Sequence, residues 1–171
     1  MTATTIDYTN LYSQPSINIF TILNNRTNIP DPRDATGARK FVYDEDPLQK
    51  SFDFDGIPYI ITMDFKPIYP TQKAADAKSQ YMLWTNNVIV RTVKDGSSGS
   101  RVDAGITDMR QIMDDIFQTL NDATIKQSMR DWGMFNVEVS VTNTDSTLIN
   151  QKLLHETTLE ITFGTRLTTS V

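Results

Sequence analysis

The side chains that could do chemistry are few. The chain holds one histidine, His155, and no cysteine. Without cysteine there are no disulfides, thiolate metal sites or thiol nucleophiles. Serine-type hydrolysis needs a base beside its hydroxyl. His155 stands just ahead of an alternating apolar run, where it reads as a satisfied surface or sheet residue rather than a base. Nothing has the Gly-x-Ser-x-Gly frame of a nucleophile elbow. Acidic groups occur at Asp44-Glu45-Asp46, at Asp53 and Asp55, and at Asp114-Asp115. Paired carboxylates hold divalent cations or share glycoside chemistry, but none of these has the alternating oxygen spacing of a calcium loop. Asp53 and Asp55 flank a turn that favours Asp for backbone reasons. Helical periodicity places Asp114 and Asp115 on a solvated side.

The remaining candidates read as structure. Gly96-Ser97-Ser98-Gly99 lacks the Lys-Ser or Lys-Thr pair and the G-x-G-x-x-G frame that cradle a phosphate, so it reads as a flexible connection. Met109, Met113, Met129 and Met134 read as core packing. Tyr81, Trp84, Trp132 and Phe135 are not interleaved with basic residues, so they form no stacking platform for single strands. No residue is assigned a catalytic, cofactor-binding or metal-ligating role, and no cofactor is expected. The chain reads as a non-enzyme.

Charge narrows the partners. The net charge is −5, and the densest basic group is Arg91, Lys94 and Arg101 around one loop. An acidic chain repels phosphate, which argues against sequence-specific nucleic-acid binding. Residues 1–12 lack the basic and apolar regions of a signal peptide. No apolar run approaches the roughly 18 residues of a membrane helix. A soluble chain with no membrane partner is expected. At 171 residues, 39% of them hydrophobic, it is large enough to bury one core without staples.

Periodicity supplies the elements. Ser13 as a cap, Pro15 in the first turn, and Ile19, Ile22, Leu23 and Arg26 at spacings of three and four predict a helix over 13–26. Pro30 and Pro32 stop it, and residues 31–50 read as a long, partly mobile loop with a short strand at 41–43. Asp55-Gly56 predicts a tight hairpin between 51–54 and 57–65, with Tyr59, Ile61, Met63 and Phe65 on one face. Residues 71–83 have helix propensity without an apolar stripe and predict at most a turn or two of helix. A β-branched run predicts a strand over 87–93, followed by a flexible loop at 94–100. Val102, Ile106, Met109, Met113, Ile116, Phe117 and Leu120 predict the principal core helix over 102–121. Asp122 caps a second helix carrying Ile125, Met129 and Trp132, closed by Gly133. Val137, Val139 and Val141, then Leu159, Ile161 and Phe163, alternate with polar residues. They predict an antiparallel hairpin with Asn143-Thr144-Asp145-Ser146 as the link, made with a long loop or long flared arms.

The expected fold class is α+β: an antiparallel or mixed sheet of four to five strands packed against one long and one or two short helices. A flexible N-terminal arm (1–13) precedes a single domain (14–171).

The order of elements resembles the tail-terminator and tail-completion proteins of long-tailed viruses, bacteriophages or archaeal tailed viruses. The likeness spans roughly residues 14–168. It rests on the N-terminal helix, the proline-bearing loop, strands ending near Tyr69-Pro70, the Val88-Ile89-Val90-Arg91-Thr92 strand, and the Gly/Ser loop. The long helix feeding a short one through Asn121-Asp122, the Gly133-Met134-Phe135 junction and the final strand pair complete it. The resemblance implies a virion structural protein of the tail or neck, assembled in the host cytoplasm. It would form a homo-oligomeric, hexameric ring on the end of the tail tube, stopping tube polymerisation and joining the tail to head-completion or neck proteins, with room for DNA to pass through the ring. A head-tail connector or neck protein is the near alternative. A small-molecule or peptide binding module, with Tyr59, Met63 and Phe65 lining a pocket, is the distant one. The loops at 31–50, 94–100 and 143–151 are expected to reach towards neighbours.

Overall fold

A computed structural model describes residues 2–7, 9–11, 13–47, 58–62, 66–67, 79–94, 104–149 and 152–168, with 66–67, 79–80 and 167–168 described in backbone only. The elements are α1 (Gln14–Leu23), β1 (Val42–Tyr43), β2 (Tyr59–Thr62), β3 (Lys66–Pro67), β4 (Ser79–Val93), α2 (Ala104–Asn121), α3 (Ala123–Asp131), β5 (Met134–Ile149) and β6 (Lys152–Thr168). The fold is α+β, with a mixed sheet and, among the described residues, three helices, as the sequence pattern predicts. The strands run in the order β1-β2-β4-β6-β5, with β3 beside β4; β1 and β2 are parallel and every other pair is antiparallel.

The sheet is two-faced because strand side chains alternate. Along β4, Trp84, Asn86, Val88, Val90 and Thr92 are buried on the face that the helices cover. Opposite them on β6, Phe163, Ile161 and Leu159 complete the same layer. Buried side chains of α1 (Ile19, Ile22, Leu23), α2 (Ile112, Ile116, Leu120) and α3 (Met129) fill the core above it. Tyr59, Ile61, Val93 and Leu154 form a smaller cluster of their own.

The cap at Asp122 and the stop at Gly133 follow the sequence reading. The Asp122 carboxylate accepts the amides of Thr124 and Ile125 at 2.8 and 3.1 Å. Gly133 takes a φ of +85° just past the helix end, a conformation glycine adopts without a Cβ penalty.

Several expectations are corrected. The first helix ends at Leu23 rather than 26. Residues 79–83, expected in the weak helix of 71–83, belong to β4, which therefore begins well before 87. Residues 71–78, the hairpin turn at Asp55-Gly56, Met63 and Phe65, and loop residues 95–100 lie outside the described residues. Asn143-Thr144-Asp145-Ser146 is not a link but part of β5, whose last rung pairs Ile149 with Lys152. The hairpin therefore has long arms.

The buried stripe of α2 is also turned from the expected one: Gly105, Met109, Ile112, Ile116, Thr119 and Leu120 face the sheet, whereas Ile106 is exposed and Met113 and Phe117 are half-buried. The cause sits at Gly105. A Cβ there would meet the carbonyl oxygen of Val93 at 2.6 Å, so only glycine lets the first turn of α2 touch the β4 backbone. The Thr92 hydroxyl donates to the Gly105 carbonyl at 2.7 Å and locks that phase.

Residues 31–47, expected as part of a mobile loop, are built around one carboxylate. The Asp31 side chain is wholly buried; Arg39 donates to it through Nε at 2.9 Å and again through Nη2, and Arg26 lies 3.6 Å away. Arg39 also reaches the Pro58 carbonyl at 3.0 Å, tying the segment to the start of β2. The N-terminal residues expected as an arm lie along the domain. The amide of Ile6, a buried residue, donates to the Trp132 carbonyl at 2.9 Å. The buried Asn18 side chain holds the amide and carbonyl of Thr4 at 3.1 and 3.0 Å.

Candidate functional site

The outer hairpin carries the surfaces on which function can rest. β5 is an edge strand of 16 residues, and residues 140–148 are all exposed. Its outward backbone groups are therefore a template for another strand. Among its exposed residues, Val141 and Leu148 are 50% and 70% accessible. The sequence here is rich in Thr and polar residues because neither face of this half of β5 is buried. That composition made part of it read as a loop; the usable signal was the β-propensity of Val141, Thr142, Thr144, Thr147 and Ile149.

Because α2 packs over β4 and β6, the helix-side face of β5 is left beside it rather than beneath it. A groove of about 530 Å³ results, lined from α2 by Ile106, Met109, Arg110, Met113 and Asp114 and from the hairpin by Val141, Thr144, Ser146, His155 and Thr157. Its floor is polar. Ser146 Oγ lies 2.8 Å from His155 Nδ1, and the hydroxyls of Thr144 and Thr157 lie 3.4 Å apart. His155 is buried in the sheet, where the sequence allowed either a surface or a sheet position, and its partner on the facing strand escapes sequence reasoning. A serine beside a histidine is half of a nucleophilic apparatus; a third group orienting the ring and donors for an oxyanion are the other half. Asp114, the carboxylate lining the groove, is exposed on α2. The Ser146–His155 contact forms a rung between β5 and β6.

At the base of the hairpin, irregularities interrupt the ladder between Phe135 and Glu138, where Asn136 takes a φ of 53°. Asparagine tolerates that left-handed conformation better than other side chains. The bulge re-aims its neighbours, and Phe135 emerges 39% exposed.

The fold accounts for Arg91, Asp46, Asp114 and Asp115 among the charged candidates; Asp53, Asp55 and Arg101 lie outside the described residues. Arg91, expected at the head of a basic group, is buried; its Nε donates to Glu156 at 2.6 Å and its Nη1 to Asp46 at 2.6 Å and to the Tyr59 hydroxyl at 3.4 Å. Burial acts to lower the Arg91 pKa, but the hydrogen bonds to Asp46, Tyr59 and Glu156 outweigh it and hold it above the ordinary value. Tyr59 is itself buried against this network, so it does not line an open pocket; burial raises its pKa, with Arg91 opposing. Asp114 is exposed as expected, but Asp115 is only half-exposed, and burial followed by repulsion from Asp114 raises its pKa. Among the described residues, no group of three or more acidic or histidine side chains is placed to hold a metal ion. No described helix is long and apolar enough to cross a membrane.

Comparison with protein-family models gives no match for this chain, and comparison with curated proteins gives none either.

Proposed function

We propose that this chain is a structural subunit that works by assembling with copies of itself. In line with the resemblance in element order, the specific reading is a tail terminator, a ring on the end of a viral tail tube that joins tail to head-completion proteins. The observation that carries the assembly reading is β5, an edge strand whose residues 140–148 are exposed throughout, with Val141 and Leu148 among them. A long free edge with exposed apolar side chains pairs readily with another chain. Repeated head-to-tail contacts close into a ring when the rotation between subunits allows it. A connector or neck protein would use the same edge within another ring.

Mass measurement in solution combined with negative-stain imaging tests this. A discrete closed oligomer supports the proposal, and capping of tail tubes supports the terminator role. A strictly monomeric chain at high concentration that caps no tube overturns it. The groove beside α2 favours one other reading, a peptide or small-molecule binding module, because its size and mixed apolar and polar lining suit a ligand. Saturable thermal stabilisation by one ligand class would favour that reading.

A further inference from the structure

The distal half of the β5–β6 hairpin projects past the helices, yet its charges sit on one face only. By the register, Asp145, Lys152 and Glu156 share the face turned away from α2. The groove side presents Val141, Thr144, Ser146 and Leu148 with His155 and Thr157, and no acid, lysine or arginine. Ile106, Val141 and Leu148 are exposed large apolar side chains, and all three border this side. An uncharged strand face ringed by exposed apolar groups is a surface suited to being covered. The helix wall of the groove is patterned differently. Ile106, Arg110, Met113 and Phe117 recur at spacings of four and three, so they form one stripe along α2 beside its buried one. Arg110 and Asp114 are both exposed, and neither has an ion-pair partner among the described residues. They stand one turn apart with the cation on the N-terminal side, the weaker order for pairing within a helix. The uncharged hairpin face offers them nothing either.

We infer that α2 of a second copy fills this groove, the two helices running antiparallel about a two-fold axis near Ile112. The inference rests on the self-assembly reading and adds a contact to it. The stripe is complementary to itself. Arg110 and Asp114 are equally far from Ile112 and opposite in charge, and Ile106 and Phe117 are apolar and nearly equally far from the same point. Antiparallel pairing therefore sets Arg110 of each copy against Asp114 of the other, and Ile106 against Phe117. Each helix also comes to lie over the uncharged hairpin face of the other copy, where Val141 and Leu148 are waiting to be covered. Any amphipathic helix could bury the apolar part of the stripe. The mirrored charges select the same helix, because a foreign one would have to carry the opposite signs at matching positions. Such a contact is isologous and closes at two subunits. It leaves the outward edge of β5 free for the further contacts that a ring requires.

Charge exchange tests this at two exposed positions. Arg110→Asp sets like charges against each other across the axis, and so does Asp114→Arg. Each variant is expected to keep the melting temperature of the dilute wild type, while sedimentation shows association weakened at least tenfold. An equimolar mixture of the two is expected to associate again, because each supplies the charge the other lacks. The chain has no cysteine, so Met113→Cys reports the axis directly. A two-fold axis brings a residue beside it to its own counterpart, and oxidation of this single variant is expected to give a disulfide-linked dimer and no larger covalent species. If the wild type assembles but neither single charge variant is weakened, or the mixture stays as weak as its parts, this contact is wrong and the assembly reading stands. A wild type that remains monomeric at the highest attainable concentration overturns both and leaves the groove to a helix of another protein. Should a charge variant not fold, the Met113→Cys crosslink decides.

Discussion

Ser146 and His155 occupy one rung of the outer hairpin, Oγ to Nδ1 at 2.8 Å, on the floor of the groove beside α2. Nine residues separate them in the chain, and the antiparallel register of β5 and β6 alone brings them together. The contact holds the projecting arm in a single register, since a slip of one residue would turn the buried His155 ring to the opposite face.

Ser146→Ala removes this hydrogen bond and is expected to lower stability by about 1 kcal/mol, read from urea unfolding. The variant and the wild type are expected to hydrolyse an activated ester at the same background rate. A rate dependent on Ser146 would instead make the pair a nucleophile and its base and contradict the non-enzymatic reading.

Gly105→Ala places a methyl group 2.6 Å from the Val93 carbonyl oxygen. The first turn of α2 must lift from β4, disturbing the Thr92–Gly105 bond. The expected loss is about 1–3 kcal/mol, as for overpacking of a tight interior. A denaturation midpoint equal to that of the wild type would show that the contact is loose.

This helix shows what could and could not be read from the sequence. Its existence was legible because Met109, Ile116 and Leu120 recur at helical spacing. Its phase was not, because Ile106, Met113 and Phe117 are apolar too, and Ile106 and Met113 line the groove. The apolar band is wider than the buried stripe, and a glycine, which carries no hydrophobic signal, decides which edge is buried. The final strand pair was legible as an antiparallel hairpin, with long arms as one of its two forms, but the link placed at residues 143–146 was not, for the opposite reason. Residues 143–146 face solvent on both sides, so the alternation that betrays a half-buried strand is missing. The groove and its Ser146–His155 rung depend on that register and were out of reach. Asp122, whose capping role is local, was read correctly.

Asp31→Ala removes the buried carboxylate that Arg39 and Arg26 share, although both arginines stay partly open to water. The expected loss is about 1–3 kcal/mol, that of charge-assisted hydrogen bonds and less than for a pair buried on both sides. Circular dichroism during thermal unfolding would show the drop, and limited proteolysis would place its local part in residues 31–47. Unchanged cleavage and melting would mean that the segment is held by other contacts.

Acid titration separates two carboxylates of opposite sign. The Asp34 pKa is held down to about 2, first by the Thr36 hydroxyl and then by the Arg39 amide, against an opposing desolvation, with the Thr36 and Gly37 amides adding to the lowering. Its folded value lies below the unfolded one of about 3.9, so its contribution is present above that pH and is lost as pH falls towards 2. Asp34→Asn is expected to flatten the stability profile in that window. Asp115 runs the other way. Its raised pKa makes the ionised form unfavourable in the folded state, so its stabilising influence belongs to low pH and is lost as pH rises through the folded value. Asp115→Asn is therefore expected to stabilise the protein at neutral pH. Stability curves across pH for both variants check the two signs.

Hydrogen–deuterium exchange of β5 as a function of protein concentration tests the assembly claim most directly, because it reports both association and its place. The outward-facing amides among residues 140–148, those that do not bond to β6, are expected to exchange rapidly when dilute and to become protected as concentration rises, while core amides such as those of Val88 and Ile161 stay unchanged. Exchange of β5 that is fast and independent of concentration, up to the highest attainable, would contradict the account.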